Sequence, residues 1–176
     1  MRHPLEFVTA DARKPLFFTF LILTLTLFAI FQFLDQELRT DAAPNGIVSF
    51  ELAGNPETAR SITDSWKHMR LWRSAAASLG IDYVFMPVYA LALAFGSLLA
   101  MRRHEGWIRS LGAVAAYAGF AAATFDAVEN YALLRILLGE IQSGYPAIAA
   151  FCAIIKFGLI LFGILYGLVA WLLPGR

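Results

Sequence analysis

The stretch Ala147–Leu173, AIAAFCAIIKFGLILFGILYGLVAWLL, carries a single charged residue, Lys156. About 20 consecutive apolar residues are needed to cross the roughly 30 Å hydrocarbon core of a bilayer as an α-helix. Three further apolar runs reach that length, at about 16–34, 81–101 and 111–138. The sequence therefore predicts an all-α membrane protein built as a bundle of four transmembrane helices.

The composition agrees with a lipid environment. Hydrophobic residues make up 59% of the chain and charged residues 15%, whereas an average soluble domain has about 25% charged residues. With 176 residues and no polar linker, we expect a single integral membrane domain spanning residues 1–176. The formal net charge of +1 argues against nucleic acid as a partner, because phosphate binding requires a basic patch.

The distribution of Lys and Arg predicts the orientation in the membrane. An even number of spans puts both termini on the same side, and cation-rich short loops stay in the cytoplasm. Arg2, Arg13 and Lys14 precede the first span, and three arginines occupy the short loop 102–110. We therefore expect a multi-pass protein of the plasma (inner) membrane with both termini cytoplasmic. The long loop 35–80, whose cations are diluted and mixed with acids, then lies outside.

This long loop is predicted to contain an amphipathic helix at the membrane interface. Asn55 is a good N-cap residue and Pro56 suits the first helical position, so a helix should run from Pro56 towards Ala77. Its apolar residues recur at helical spacing on one face, which favours a helix lying flat over the mouth of the bundle. These residues are Ile62, Trp66, Met69 and Trp72.

The segment 44–54, which precedes this helix, combines turn residues with an apolar run around one carboxylate, Glu51. It fits a lid, a short strand or a partly re-entrant segment, because periodicity does not separate these structures in so few residues. Glu51 is a candidate ligand-binding residue.

Polar residues inside the spans give the candidate site. Asp126, Glu129 and Asn130 lie near the middle of the third span, and Lys156 lies in the fourth. A charge at the bilayer centre costs about 2.5–3.5 kcal/mol on insertion scales, so such residues face a partner, a cavity or a ligand. At a rise of 1.5 Å per residue the charged residues fall at one level in the outer half of the bundle. We interpret Asp126, Glu129 and Lys156 as candidate catalytic residues in acid/base or ion-pair roles, and Asn130 as a ligand-binding residue.

The second span contributes further polar residues at a similar depth. Asp82, in the first turn of that span, and Tyr89 are candidate ligand-binding residues. The spans contain no histidine, which disfavours a soft-metal site, haem and Ser-His-Asp catalysis. If a hard cation binds, its oxygen ligands would be Asp126, Glu129 and Asp82. The sequence itself identifies neither a metal nor another cofactor.

Three functional interpretations follow from these observations. A one-sided polar pocket in the outer half of the bundle suits the binding or modification of a lipid-like or small amphipathic molecule, and the sequence does not decide whether the protein is an enzyme. A second interpretation is a proton- or cation-coupled small transporter, acting as a homo-oligomer because four spans enclose little space. A third is a structural or assembly subunit in which the polar residues join helices. We favour the first, because the inner half of the spans lacks the polar residues that a transport pathway needs.

Overall fold

The computed structural model describes residues 2–141 and 144–174, and the regular secondary structure within these ranges is helical. An isolated bridge between Thr40 and Ala43 closes the turn that follows the first helix. The helices are α1 (Ala10–Leu38), α2 (Ile47–Glu51), α3 (Pro56–His68), α4 (Trp72–Met101), α5 (Gly106–Leu137) and α6 (Tyr145–Leu172).

Four of these helices, α1, α4, α5 and α6, are long and apolar enough to cross a membrane. This confirms the four predicted apolar helices and indicates a membrane protein. The helices extend beyond the predicted runs: α1 begins at Ala10 rather than Leu16, and α4 at Trp72 rather than Ile81. Hydropathy marks only the part of a helix that suits hydrocarbon, whereas backbone hydrogen bonding continues the helix into the more polar flanks.

Helix α3 begins where the sequence predicts and ends earlier. Asn55 Oδ1 accepts a hydrogen bond from the Thr58 amide at 2.9 Å, and Pro56 occupies the first turn. The predicted continuation to Ala77 is wrong, because the backbone turns at Arg70, whose φ is 61°. A residue in this left-handed conformation ends an α-helix, and α4 starts two residues later.

The apolar face of α3 packs against protein. Ile62 and Trp66 have no exposed surface. Trp66 Nε1 donates a hydrogen bond to the Leu38 carbonyl at 2.8 Å, and its ring meets Phe50 edge-on with the centroids 5.1 Å apart. Trp66 is therefore a core residue, and the location of α3 at a membrane interface stays a prediction.

The segment 44–54 contains the single helical turn α2. The Ile47 amide donates a hydrogen bond to Asp35 Oδ1 at 2.6 Å, so a carboxylate near the end of α1 fixes the start of α2. Gly46 has a φ of 54°, and the Asp35 carboxylate occupies the space that a Cβ at position 46 would take. Both the backbone conformation and the close approach require glycine at this position.

The contacts divide the chain into two compact units. Unit 1 comprises Met1–Leu25, Met86–Thr124 and Lys156–Arg176, and unit 2 comprises Thr26–Phe85 and Phe125–Ile155. Each unit has its own apolar core. The core of unit 2 includes buried residues of the α2–α3 segment. The core of unit 1 includes buried residues from the parts of α4, α5 and α6 that belong to this unit.

Small residues on α5 determine the packing of unit 1. A Cβ added at Gly112 would lie 2.5 Å from Tyr166 Oη and 2.6 Å from Met101 Cβ, both too close for carbon. A Cβ at Gly119 would lie 3.3 Å from Leu93 Cβ. The absence of side chains at these two positions lets α5 approach its neighbours closely, as is common between membrane helices.

Candidate functional site

The polar residues of α5 lie on its buried face in unit 2. Asp126, Glu129 and Asn130 are each at most 2% exposed. Because residues three and four positions apart share one side of a helix, the three side chains form one continuous polar surface. We call these three residues the α5 polar face. Burying two carboxyl groups and an amide is costly unless each finds a partner, so this face is the candidate site.

Asn130 joins α5 to α4 within unit 2. Its Nδ2 donates one hydrogen bond to the Leu79 carbonyl at 3.1 Å and another to Asp82 Oδ2 at 2.9 Å, which uses both amide hydrogens. The helix α4 begins at Trp72, so Asp82, which the sequence places in the first turn of the apolar span, lies inside the helix. The Asp82 carboxylate is therefore a partner of the α5 polar face and not a helix cap.

The Oδ1 atom of Asn130 is buried and has no hydrogen-bond partner among residues 2–141 and 144–174. Exchanging the amide oxygen and nitrogen would not help, because the oxygen would then face the Leu79 carbonyl and the Asp82 carboxylate, which are both acceptors. Leu79 and Asp82 thus determine the orientation of the amide, and Oδ1 is an acceptor without a donor among the described residues. An unsatisfied buried acceptor costs about 1–3 kcal/mol, and a water or a ligand with a donor group would remove that cost.

Tyr83 follows Asp82 directly on α4 and is 41% exposed. A partly exposed phenol therefore lies one position along the chain from the carboxylate that accepts the hydrogen bond of Asn130.

Glu51 is buried in unit 2 at the end of α2, beside the core residue Phe50. Tyr89 and Lys156 are buried in unit 1. Lys156 Nζ lies 5.0 Å from the centre of the Phe157 ring, within the range of a cation–π interaction. The pairing of Lys156 with a carboxylate of α5 stays a prediction, as do the ligand-binding roles of Glu51 and Tyr89.

Within the described ranges, no group of three or more His, Cys, Asp or Glu side chains is placed to hold a metal ion. A hard-cation site at Asp126, Glu129 and Asp82 stays a prediction from the sequence. A depression of about 530 Å³ lies away from these residues, on the exposed surface of α3. It is lined by Pro56, Glu57, Arg60, Ser61 and Asp64.

Sequence reasoning missed two buried histidines in unit 1. His3 Nε2 lies 3.1 Å from Ser97 Oγ, and His104 Nε2 donates to the Ala170 carbonyl at 2.6 Å. Both residues flank apolar runs, where polar side chains are usually solvated. Proximity to a helix end was the only signal in the sequence, and it does not distinguish a solvated histidine from a buried one.

Comparison with protein-family models, with curated proteins and with solved structures finds no match for this chain. The function is therefore inferred from the geometry of the site itself.

Proposed function

We propose that this chain is an integral membrane protein that binds or modifies a lipid-like or small amphipathic molecule, whose polar head group contacts the α5 polar face. The observation that carries the proposal is the buried Oδ1 of Asn130, which has no hydrogen-bond partner among the described residues. Native packing satisfies nearly all buried polar atoms. A bound molecule with a donor group would supply the hydrogen bond to Oδ1 that the neighbouring side chains do not make.

The geometry favours a head group that carries a hydrogen-bond donor. A hydroxyl or an ammonium group would donate to Asn130 Oδ1, and an ammonium group would also be attracted by ionised Asp126 or Glu129. Asp126 or Glu129 would act as acid or base if the molecule is modified as well as bound. Lys156, which belongs to unit 1, would hold an anionic head group, as the sequence suggests.

The proposal keeps the finer expectations from the sequence. The four apolar helices form a bundle in the plasma (inner) membrane, with both termini in the cytoplasm. The site lies in the outer half of the bundle, and α3 is an amphipathic helix at the outer interface. An apolar tail would remain in contact with the bilayer, which is the environment that the exposed apolar side chains of the spans require.

A structural role is the second candidate, and one observation favours it. The two hydrogen bonds donated by Asn130 join α5 to α4, which is what polar side chains between membrane helices commonly do. A structural role predicts that changes at the α5 polar face lower the stability and remove no bound molecule.

Native mass spectrometry of the detergent-purified protein, combined with elemental analysis, tests the proposal. The wild type is compared with Asp126→Asn and Lys156→Met. Thr124→Ala is the matched control, because Thr124 lies on α5 and its exposed hydroxyl donates a hydrogen bond to the Phe120 carbonyl of its own helix. The midpoint of thermal unfolding is measured for every variant.

A molecule retained by the wild type and by Thr124→Ala, but lost from folded Asp126→Asn, supports a ligand site, and its mass identifies the chemistry to assay. Loss from folded Lys156→Met would support a ligand-binding role of Lys156. If the wild type carries nothing and the Asp126 variant unfolds, the α5 polar face is structural and the proposed function is wrong.

A further inference from the structure

The corner between α3 and α4 has a backbone geometry that normally selects glycine. The Leu71 amide donates to the Trp66 carbonyl at 2.7 Å, and the Arg70 amide donates to the Lys67 carbonyl at 3.1 Å. This pair of hydrogen bonds is the Schellman motif, whose residue in the left-handed conformation is usually glycine. Here that residue is Arg70, with a φ of 61°. Conformational strain at a non-glycine residue is a reason to look for a function of its side chain.

Cations are concentrated at this corner. Lys67, Arg70 and Arg73 are all exposed, and none of them forms an ion pair with another residue in the part of the chain that the structure describes. No acidic residue occurs in the sequence between Asp64 and Asp82. Since three neighbouring cations repel one another, the corner favours an anionic partner.

One carboxylate from another helix lies nearby. Glu37 of α1 accepts a hydrogen bond from Ser74 Oγ at 3.4 Å. Asp64, three positions before Lys67 on α3, is a second acid beside the corner. Two acids do not neutralise three cations, so the corner keeps a positive charge.

Exposed apolar side chains accompany these cations. Met69 and Trp72 are 55% and 47% exposed, and the Arg73 guanidinium lies over the Trp72 ring, 5.6 Å from its centre. A tryptophan beside cationic side chains is typical of the membrane–water interface, where the ring contacts acyl chains and the cations reach lipid phosphates. The length of α4 is also consistent with a corner at the membrane–water interface. Its 30 residues extend for about 45 Å, the thickness of a bilayer with its head groups.

We propose that the α3–α4 corner, formed by Lys67, Met69, Arg70, Trp72 and Arg73, binds the phosphate head group of an anionic phospholipid. The three cations contact the phosphate region, and Met69 and Trp72 insert beside them. The strained Arg70 is retained because its guanidinium completes this surface. The inference is independent of the α5 polar face, which would bind a different group at a different place.

The experiment measures lipid retention by native mass spectrometry. The protein is purified in mixed micelles that contain equal amounts of phosphatidylglycerol and phosphatidylcholine. We expect the wild type to retain phosphatidylglycerol preferentially and to lose that preference as salt is raised. In the variant Lys67→Gln/Arg70→Gly/Arg73→Gln the preference should fall by roughly fivefold for each cation removed, or to no measurable preference.

Two single variants make the result specific. Arg70→Gly places the preferred residue in the Schellman motif, so it should fold at least as well as the wild type while losing roughly fivefold in preference for the anionic lipid. Arg60→Gln removes one exposed cation from the middle of α3, away from the corner, and should leave the preference unchanged.

Three results would overturn the proposal. One is equal retention of the two lipids by the wild type. Another is an unchanged preference in folded Arg70→Gly. The last is that millimolar inorganic phosphate raises the thermal unfolding midpoint as much as phosphatidylglycerol does, which would identify a free anion as the ligand.

Discussion

Asn130 Nδ2 lies 2.9 Å from Asp82 Oδ2, and this hydrogen bond ties the buried face of α5 to the interior of α4. The bond also determines the direction in which the amide points. With both hydrogens of Nδ2 committed to Asp82 and Leu79, the amide oxygen remains as the acceptor. Asp82 thus has two separable effects, one on stability and one on the orientation of the candidate site.

A double-mutant cycle measures the effect on stability. We expect Asn130→Ala and Asp82→Ala each to lower the free energy of unfolding, with a coupling energy of about 1 kcal/mol, which is typical of hydrogen bonds between membrane helices. Unfolding in mixed micelles, followed by circular dichroism, provides the four free energies. Additive effects of the two changes would mean that the bond contributes nothing to stability.

Gly46→Ala should lower the free energy of unfolding by more than about 1 kcal/mol, because alanine is strained at positive φ. The new methyl group would also displace the Asp35 carboxylate from the Ile47 amide. Gly54→Ala is the matched control, since Gly54 also has a positive φ, 68°, but a Cβ there would make only ordinary van der Waals contacts, the nearest at 3.8 Å. A loss of stability no larger than that of Gly54→Ala would show that the hydrogen bond between Asp35 and the Ile47 amide contributes nothing to stability.

Gly112→Ala should destabilise unit 1 despite the better helix propensity of alanine. The added Cβ would overlap Tyr166 and Met101, and overpacking of this kind costs about 1–3 kcal/mol. Gly158→Ala, on α6, adds a methyl group where no atom lies within 4 Å, so it should stabilise the helix by about 0.5–1 kcal/mol. The midpoints of thermal unfolding of the two variants should therefore shift in opposite directions. Shifts of the same sign would contradict the close packing around Gly112.

The four apolar helices were predictable because hydrophobicity over about 20 residues is a strong and local signal. The polar face of α5 was predictable for a related reason, since the spacing of Asp126, Glu129 and Asn130 specifies their common side from helix geometry alone. Both inferences require only the period of the helix. Neither depends on which segments meet in the folded chain.

The remaining features depend on contacts between distant parts of the sequence. Nothing near Arg70 in the sequence signals that α3 ends there, because the residue is not glycine and the amphipathic pattern continues to Trp72. The contact of Asp35 with Gly46 and the bond from Asn130 to Leu79 join segments that are 11 and 51 positions apart. Such pairs are determined by the packing of the whole unit, so a single sequence does not identify them.

Acidification should weaken the attachment of the N-terminal segment through His3. Its Nδ1 accepts a hydrogen bond from the Leu5 amide at 3.1 Å, so Nε2 carries the proton and donates to Ser97 Oγ. Ser97 Oγ in turn donates to the Ala94 carbonyl at 2.9 Å. This arrangement requires a neutral imidazole, because a proton on Nδ1 would remove the acceptor.

Burial lowers the pKa of His3 from 6.5 to about 4. Hydrogen bonding to the Ala94 backbone and the charge of Glu6 raise this pKa by less, and the charge of Arg13 lowers it further. Well above pH 6.5 the imidazole is neutral in both the folded and the unfolded chain, so the pH has no effect through this residue. As the pH falls from 6.5 to 4, only the unfolded chain takes up the proton, and the free energy of unfolding decreases by at most about 3 kcal/mol.

The unfolding free energies of the wild type and His3→Gln, measured in detergent from pH 7.5 to 4, provide the test, because the glutamine variant lacks this titration while all other groups remain. The difference between the two proteins should be constant above pH 7 and should shift against the wild type below pH 6.5. A difference that does not change with pH would mean that His3 is protonated as readily in the folded protein as in the unfolded chain.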